Sequence, residues 1–167
     1  MATIPAPLSG KTALITGGSR GIGAGIVAKL AHDGCTHIAT TYVSNKSKAD
    51  AVLESAKKAN PNLKTVAIKA DLLDPNFGPS VISQTLSGLD VSKIDILISN
   101  AALVEVDSHP PVADMTKEQF DKQMTANAWA PLSLAKAAIG KSDTSRLTTT
   151  TTKPQHHPPT HQTPHPI

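Results

Sequence analysis

A glycine-rich turn between two short apolar segments constrains the fold of this chain more than any other feature. The segment over residues 11–16 is apolar and β-branched, and it runs directly into Gly17, Gly21 and Gly23. Apolar residues then return at helical spacing, at Ile22, Ile26 and Leu30. The pattern predicts a strand over 11–16, a tight turn, and a helix over 21–32 that stops before Gly34.

The spacing of the three glycines suits the binding of a phosphate. Gly17 can adopt the positive φ of a tight turn, Gly21 lets an anion approach the main chain, and Gly23 lets the helix pack near the strand. The helix N-terminus adds unpaired N–H groups and a partial positive charge. An ordinary strand–helix connection is the alternative reading of the same glycines.

The same alternation of strand and helix continues along the chain. Strands are predicted over 36–42, 63–70 and 94–99, with helices over 46–59, around 81–89 and over 115–139. Pro131 should kink or break the last helix near Asn127. Successive βα units predict an α/β fold with a doubly wound parallel sheet.

Composition divides the chain near residue 140. We expect residues 1–140 to form one domain, because residues 141–167 are a Thr-, Pro- and His-rich tail whose composition predicts disorder. The tail includes His156, His157, His161 and His165, but ligands on an unstructured segment make no preformed metal site, so no metal is predicted.

Composition also bounds the cellular setting and the partners. Cys35 is the single cysteine, so we expect no internal disulfide, a small buried residue and a reducing, cytoplasmic location. The sequence contains no run of 18 apolar residues, so we predict no membrane span. The formal charge of +3 is small and dispersed, which argues against nucleic acid as a partner.

The pattern Thr16-Gly17-x-x-x-Gly21-x-Gly23 resembles the cofactor fingerprint of the short-chain dehydrogenases/reductases, and the resemblance runs from about residue 8 to about residue 139. It implies a partial Rossmann-type sheet of about four strands in the order 3-2-1-4. It also implies a nucleotide cofactor held by Gly17, Ser19, Arg20, Gly21, Ile22, Gly23, Ser44, Asn45, Lys46, Asp71, Leu72, Asn100 and Ala101.

The end of the second predicted strand favours NADP (NADPH) over NAD. An acidic residue there would bind the ribose 2′-hydroxyl of NAD, but residues 41–46 contain none. The resemblance implies that Arg20, Ser44, Asn45 and Lys46 hold the 2′-phosphate; the alternative is an exposed polar loop.

Two further segments resemble family positions. Asp71 and Leu72 are similar to the acidic position that binds the adenine amino group, although Asp71 also reads as a turn residue. Ser99-Asn100-Ala101-Ala102 resembles the family's Asn-Asn-Ala-Gly, which implies that Asn100 and Ala101 meet the cofactor ribose. Ser99 and Ala102 are departures from it.

The resemblance assigns only one catalytic residue to this chain. Asn127 matches the family's catalytic Asn, which helps to hold a water; alternatively it satisfies helix backbone freed by Pro131. The family's proton donor is a Tyr, activated by a Lys four residues on and assisted by a Ser. Tyr42 and Lys46 have that spacing, but they lie at a strand end against the adenosine, so we interpret them as a coincidence.

Two functions follow from this reading. The first is an NADP-dependent oxidoreductase that acts on a ketone or secondary alcohol by hydride transfer. The second is a catalytically inactive nucleotide-binding fragment, either a truncated product or a dimerisation partner. The apolar spacing of Phe120, Met124, Leu132 and Ile139 predicts an exposed apolar face and a homo-oligomer through the helix ending near Ile139.

Overall fold

A four-stranded parallel sheet forms the centre of the computed structural model, which describes residues 6–104 and 111–139. The strands are β1 (Thr12–Ile15), β2 (His37–Tyr42), β3 (Lys64–Lys69) and β4 (Ile96–Ile98). They lie in the order β3-β2-β1-β4, and all three pairings are parallel. The predicted fold class, a partial Rossmann-type doubly wound sheet, is confirmed.

The described part of the chain contains five α-helices. They are α1 (Gly21–His32), α2 (Lys46–Ala59), α3 (Phe77–Leu89), α4 (Lys117–Met124) and α5 (Ala130–Ile139). The helices α1 and α2 begin and end at the predicted residues. The strands are shorter than predicted by one to three residues, because the apolar pattern extends beyond the paired residues at one or both ends.

The predicted break in the last helix is a π-helical turn. This turn, Thr125–Trp129, joins α4 to α5, and a 3₁₀ turn at Val112–Asp114 precedes α4. Pro131 has no N–H, so it cannot donate to the carbonyl of Asn127 four residues earlier. A wider turn just before the proline accommodates the lost hydrogen bond without ending the helix.

The alternation of side chains along β1 explains why helices cover both faces of the sheet. Ala13 and Ile15 pack in one buried cluster with residues of α1 and α2, such as Val27. Leu14 points to the opposite face and packs in a second cluster with residues of α3 and α5, such as Leu134. A strand that is apolar on both faces needs a helical layer on each side.

Cys35 lies in the first of these clusters and is fully buried, as predicted. Burial raises the pKa of the Cys35 thiol, and its Sγ donates to the carbonyl of Lys11 at 3.1 Å. The thiol therefore acts as a small apolar core group.

Several predictions fall outside what the structure describes. The Thr/Pro/His-rich segment 141–167 and its histidines lie beyond the described residues, so the predicted tail and domain boundary stay predictions. Within residues 6–104 and 111–139, no helix has the length and apolar character needed to cross a bilayer.

Candidate functional site

A cleft of about 580 Å³ opens at the carboxyl ends of β1, β2 and β4. Ligands of doubly wound sheets collect at this edge, where the strand order reverses. The cleft is lined by every predicted cofactor residue except Lys46 and Asp71, namely Gly17, Ser19, Arg20, Gly21, Ile22, Gly23, Ser44, Asn45, Leu72, Asn100 and Ala101. The topology thus gathers four separate sequence segments at one place.

The hydroxyl of Thr16 joins the glycine turn to the segment after β4. Thr16 is buried, and its Oγ1 accepts hydrogen bonds from the backbone N–H groups of Asn100 and Ala101, both at 3.0 Å. In return, the side-chain Nδ2 of Asn100 donates to the carbonyl of Thr16 at 3.0 Å. These bonds fix the two sides of the cleft relative to each other.

Two threonines of β2 hold the glycine turn from the other side. The N–H of Gly17 donates to Thr41 Oγ1, and the N–H of Gly18 donates to Thr40 Oγ1, both at 2.9 Å. Thr40 Oγ1 also donates to the carbonyl of Ile15 at 3.0 Å. The protein's own buried side chains therefore shape the turn.

Two positions in this turn require glycine, Gly23 because space is short and Gly21 because its φ is positive. A Cβ at Gly23 would collide with the carbonyl oxygen of Gly17 and would lie 2.7 Å from Asn100 Nδ2, so only glycine lets α1 approach the turn. Gly21 has a φ of 55°, and a Cβ there would meet only open space. Gly21 thus presents bare main chain to the cleft, as an approaching anion requires.

The N-terminus of α1 faces the cleft with its backbone donors available. Arg20 occupies the N-cap position in an extended conformation, and its side chain makes no capping hydrogen bond. The first turn of α1 contains no acidic residue, and among the described residues no carboxylate lines the cleft. Uncapped N–H groups, the helix dipole and Arg20 together suit a pyrophosphate, so the residues present fit a dinucleotide.

The start of α2 forms the far end of the cleft. Asn45 caps this helix, because its Oδ1 accepts the N–H of Lys48 at 3.0 Å. Lys46 and Lys48 are both exposed, but only Lys48 lines the cleft, together with Ser44 and Asn45. The Nζ of Lys46 instead contacts both carboxylate oxygens of Asp50, at 2.9 and 2.8 Å, and this hydrogen bond raises the pKa of Lys46.

Of the two residues predicted to bind the adenine, only Leu72 lines the cleft. Asp71 is exposed, and its Oδ1 accepts the N–H of Leu73 at 3.0 Å. This is the turn-forming use of an aspartate that the sequence left open. The proposed contact of Asp71 with adenine stays a prediction.

Asn127 connects the π-helical turn to the segment after β4. Its Oδ1 accepts the N–H of Leu103 at 2.8 Å, and its Nδ2 donates to the carbonyl of Leu103 at 2.9 Å. The Nδ2 also donates to Gln123 Oε1 at 2.8 Å. The side chain therefore pairs with backbone 24 residues away, outside its own helix, and a catalytic role for Asn127 stays a prediction.

Sequence reasoning missed three residues that matter for this cleft. Thr40 and Thr41 become visible as turn-shaping groups only once β1 and β2 are aligned, with Ile15 opposite Thr40. Lys48 was not predicted, because the family resemblance implies Lys46, two positions earlier. A helical projection of residues 46–50 would have placed the two lysines on opposite sides of α2.

The fold and the cleft together define a doubly wound domain of the Rossmann type. The chain belongs to the short-chain dehydrogenase family, whose model matches residues 11–146. The chain spans about half the length of the curated relatives that it matches.

Named relatives and solved structures agree with this assignment. The chain is 42% identical over 139 residues to the short chain dehydrogenase asqE of Emericella nidulans. The aligned region covers 83% of this chain and 51% of that protein. A blue fluorescent protein from a metagenomic library, solved in complex with NADPH, superposes with a TM-score of 0.74 at 34% identity, over 85% of this chain and 56% of that one. A short chain dehydrogenase from Burkholderia cenocepacia in complex with NADP superposes with a TM-score of 0.74 at 31% identity. The superposition covers 85% of this chain and 55% of that one.

Proposed function

We propose that the cleft binds NADP(H) and that the protein is an NADP-dependent oxidoreductase acting on a ketone or secondary alcohol. The observation that carries the proposal is the glycine turn. Its backbone is held by Thr16, Thr40 and Thr41, while Gly21 and the N-terminus of α1 remain open to the cleft. Two similar solved structures hold NADPH or NADP, which supports the same cofactor here.

Preference for the phosphorylated cofactor rests on the charge of the adenosine end. The lining of the cleft after β2 includes Ser44 and Asn45 and no carboxylate, and Arg20 lies across the same cleft. A carboxylate would repel a 2′-phosphate, whereas a guanidinium can pair with it in two hydrogen bonds. The residues present therefore favour NADP(H) over NAD(H).

Bound NADPH would supply the hydride for carbonyl reduction, and the chain's residues would bind and orient that cofactor. The turn at Gly21 and α1 would hold the pyrophosphate, and Asn100 and Ala101 would lie beside the ribose at the β4 end of the cleft. Ile22, which is 66% exposed, adds an apolar side chain to the lining of the cleft.

A titration tests the cofactor proposal directly. Purified protein would be titrated with NADPH and NADH, with cofactor fluorescence and the melting temperature as readouts. We expect saturable NADPH binding, a raised melting temperature and weaker NADH binding. An Arg20→Gln variant should lose about ten- to a hundredfold in NADPH affinity and little in NADH affinity, since a charge-assisted hydrogen bond contributes about 1.5–3 kcal/mol. Equal wild-type affinities would contradict the NADP preference, and no saturable binding would contradict the whole proposal.

A second candidate function is nucleotide binding without turnover by this chain. It is favoured by the position of Tyr42, the one tyrosine in the sequence, which ends β2 and lines the adenosine end of the cleft. A phenol there cannot protonate a substrate beside the nicotinamide. We expect no NADPH oxidation with a panel of ketones; turnover that disappears in Tyr42→Phe would contradict this candidate.

We also propose self-association through the outer face of α4 and α5. Here Met124, Trp129 and Leu132 are about half exposed and border an open groove of about 550 Å³. An exposed apolar patch of this kind is typical of an interaction surface.

A further inference from the structure

Two lysines of the first turn of α2 have different surroundings, although they lie only two residues apart. Lys46 contacts both oxygens of the Asp50 carboxylate and lies outside the cleft lining. Lys48 lines the cleft together with Arg20, Ser44 and Asn45. Only Lys48 is therefore on the side where the adenosine end of a dinucleotide would lie.

Helix geometry explains the separation. Each residue of an α-helix turns by about 100°, so positions 46 and 50 share one face while positions 46 and 48 are about 200° apart. The N–H of Lys48 donates to Asn45 Oδ1, and this hydrogen bond caps the first turn of α2 at a residue that itself lines the cleft. The orientation follows from the backbone and does not depend on the ion pair.

The charges lead to the same distinction. Lys46 and Asp50 neutralise each other, with their closest nitrogen–oxygen distance at 2.8 Å. Lys48 and Arg20 form no ion pair with any carboxylate in the described part of the chain. An exposed pair such as Lys46–Asp50 is weak, and a dianion could compete for Lys46; the different helix faces are what separate the two lysines.

We propose that Lys48, with Arg20, recognises the 2′-phosphate of NADP(H), and that Lys46 only stabilises α2 through Asp50. This assignment rests on the proposed binding of NADP(H) in the cleft. It puts Lys48 in the place of Lys46 in the phosphate-binding set that the family resemblance implies, which is Arg20, Ser44, Asn45 and Lys46. It also makes Lys48 a specificity-determining residue, because NADH has no group for its ammonium to bind.

The test compares two substitutions of the same chemistry in the full chain. Wild type, Lys48→Gln and Lys46→Gln would each be titrated with NADPH and NADH, following cofactor fluorescence. We expect Lys48→Gln to weaken NADPH binding about tenfold and NADH binding less than twofold. Lys46→Gln should change both affinities less than twofold, and Lys48→Arg should retain the preference for NADPH.

A second readout uses adenosine 2′,5′-bisphosphate and 5′-AMP as probes, which differ in the 2′-phosphate. The bisphosphate should raise the melting temperature of wild type and Lys46→Gln more than that of Lys48→Gln, while 5′-AMP should act alike on all three. Unliganded melting temperatures control for folding. In Asp50→Asn, which releases Lys46, the ratio of the two cofactor affinities should stay as in wild type.

The outcomes separate this inference from the proposed function. If wild type prefers NADPH but Lys46→Gln removes the preference and Lys48→Gln does not, the assignment to Lys48 is wrong and NADP binding stands. A Lys48→Gln variant that loses affinity equally for both cofactors also contradicts it. If wild type binds neither cofactor, the proposed function fails first, and this assignment fails with it.

Discussion

The glycine turn and the outer face of the C-terminal helices differ in how their surfaces are completed. Around the turn, buried hydroxyls of Thr16, Thr40 and Thr41 accept the backbone N–H groups that a tight loop would otherwise leave unpaired. On the outer face of α4 and α5, apolar side chains remain half exposed, and the ring of Trp129 is covered in part by the ammonium of Lys136 at 5.6 Å.

This difference distinguishes a preformed site from an unpartnered surface. The cleft has its shape because the protein's own side chains satisfy the turn, so a ligand meets groups that are already positioned. The outer face of α4 and α5 leaves apolar area exposed, and burial of that area against another surface would stabilise it. Three predictions test the contrast and one tests the charged group at the start of β1; they run from the largest expected effect on stability to the smallest.

The two faces of α5 should respond very differently to loss of a leucine. Leu134 is fully buried and Leu132 is 52% exposed, although they lie two residues apart. We expect Leu134→Ala to lower the free energy of unfolding by about 2–5 kcal/mol, because it leaves a cavity between α3, α5 and the sheet. Leu132→Ala should cost less than about 0.5 kcal/mol. Urea unfolding measures both, and similar losses would show that the outer face is already buried in solution.

The hydroxyl of Thr16 should contribute more than its methyl group. Thr16→Val keeps the shape but leaves the N–H groups of Asn100 and Ala101 without their acceptor, which should cost about 2–4 kcal/mol. Thr16→Ser retains the oxygen and should lose about 1 kcal/mol of packing. If the valine variant is as stable as the serine variant in chemical unfolding, the turn is not held by this hydroxyl.

Asp95 should make the stability of the sheet depend on pH. Its Oδ2 accepts the N–H of Thr12 at 3.0 Å, and Lys11 and Lys93 lie 3.4 and 3.3 Å from Oδ1. Burial alone would raise the pKa of Asp95, but the hydrogen bonds from Thr12, Lys93 and Lys11 outweigh it and lower the pKa.

A lowered pKa in the folded state means that Asp95 stabilises the fold above its unfolded pKa of about 4, and that this stabilisation is lost as pH falls through the folded value. Asp95→Asn should therefore be less stable than wild type at pH 7 and should lose less stability between pH 5 and pH 2. Asp114→Asn, at an exposed position, is the control. Parallel pH profiles for wild type and Asp95→Asn would contradict the prediction.

A charge on the outer face should change association more than stability. Leu132→Glu should leave the free energy of unfolding at low protein concentration within about 0.5 kcal/mol of wild type, because the position is exposed. It should also shift the sedimentation profile toward the monomer at high concentration. A wild-type protein that remains monomeric throughout the concentration series would contradict the proposed interface.

Much of the fold could be predicted from local pattern. The β-branched run before Gly17 predicts β1, and the apolar residues at helical spacing predict α1 and α2. Gly34 and Pro61 mark where these two helices end, and the observed helix bounds agree with the prediction. The break before α5 was also predictable, because Pro131 lacks the donor that a regular helix needs. Ile22 was harder to interpret: it fits the helical period of α1, yet it is exposed in the cleft, since periodicity does not show where a helix meets a ligand site.

The sequence by itself determined the order of strands and helices, the family and the glycine turn, because these depend on backbone preferences and spacing within a few residues. The tertiary structure alone decided which polar groups meet. It paired Thr16 with Asn100 and Ala101, joined Asn127 to Leu103, and brought the face of α2 that carries Lys48 to the cleft. The physical reason is that hydrogen bonds and ion pairs act over about 3 Å, and only the folded chain brings groups from distant segments, or the correct face of a helix, within that distance.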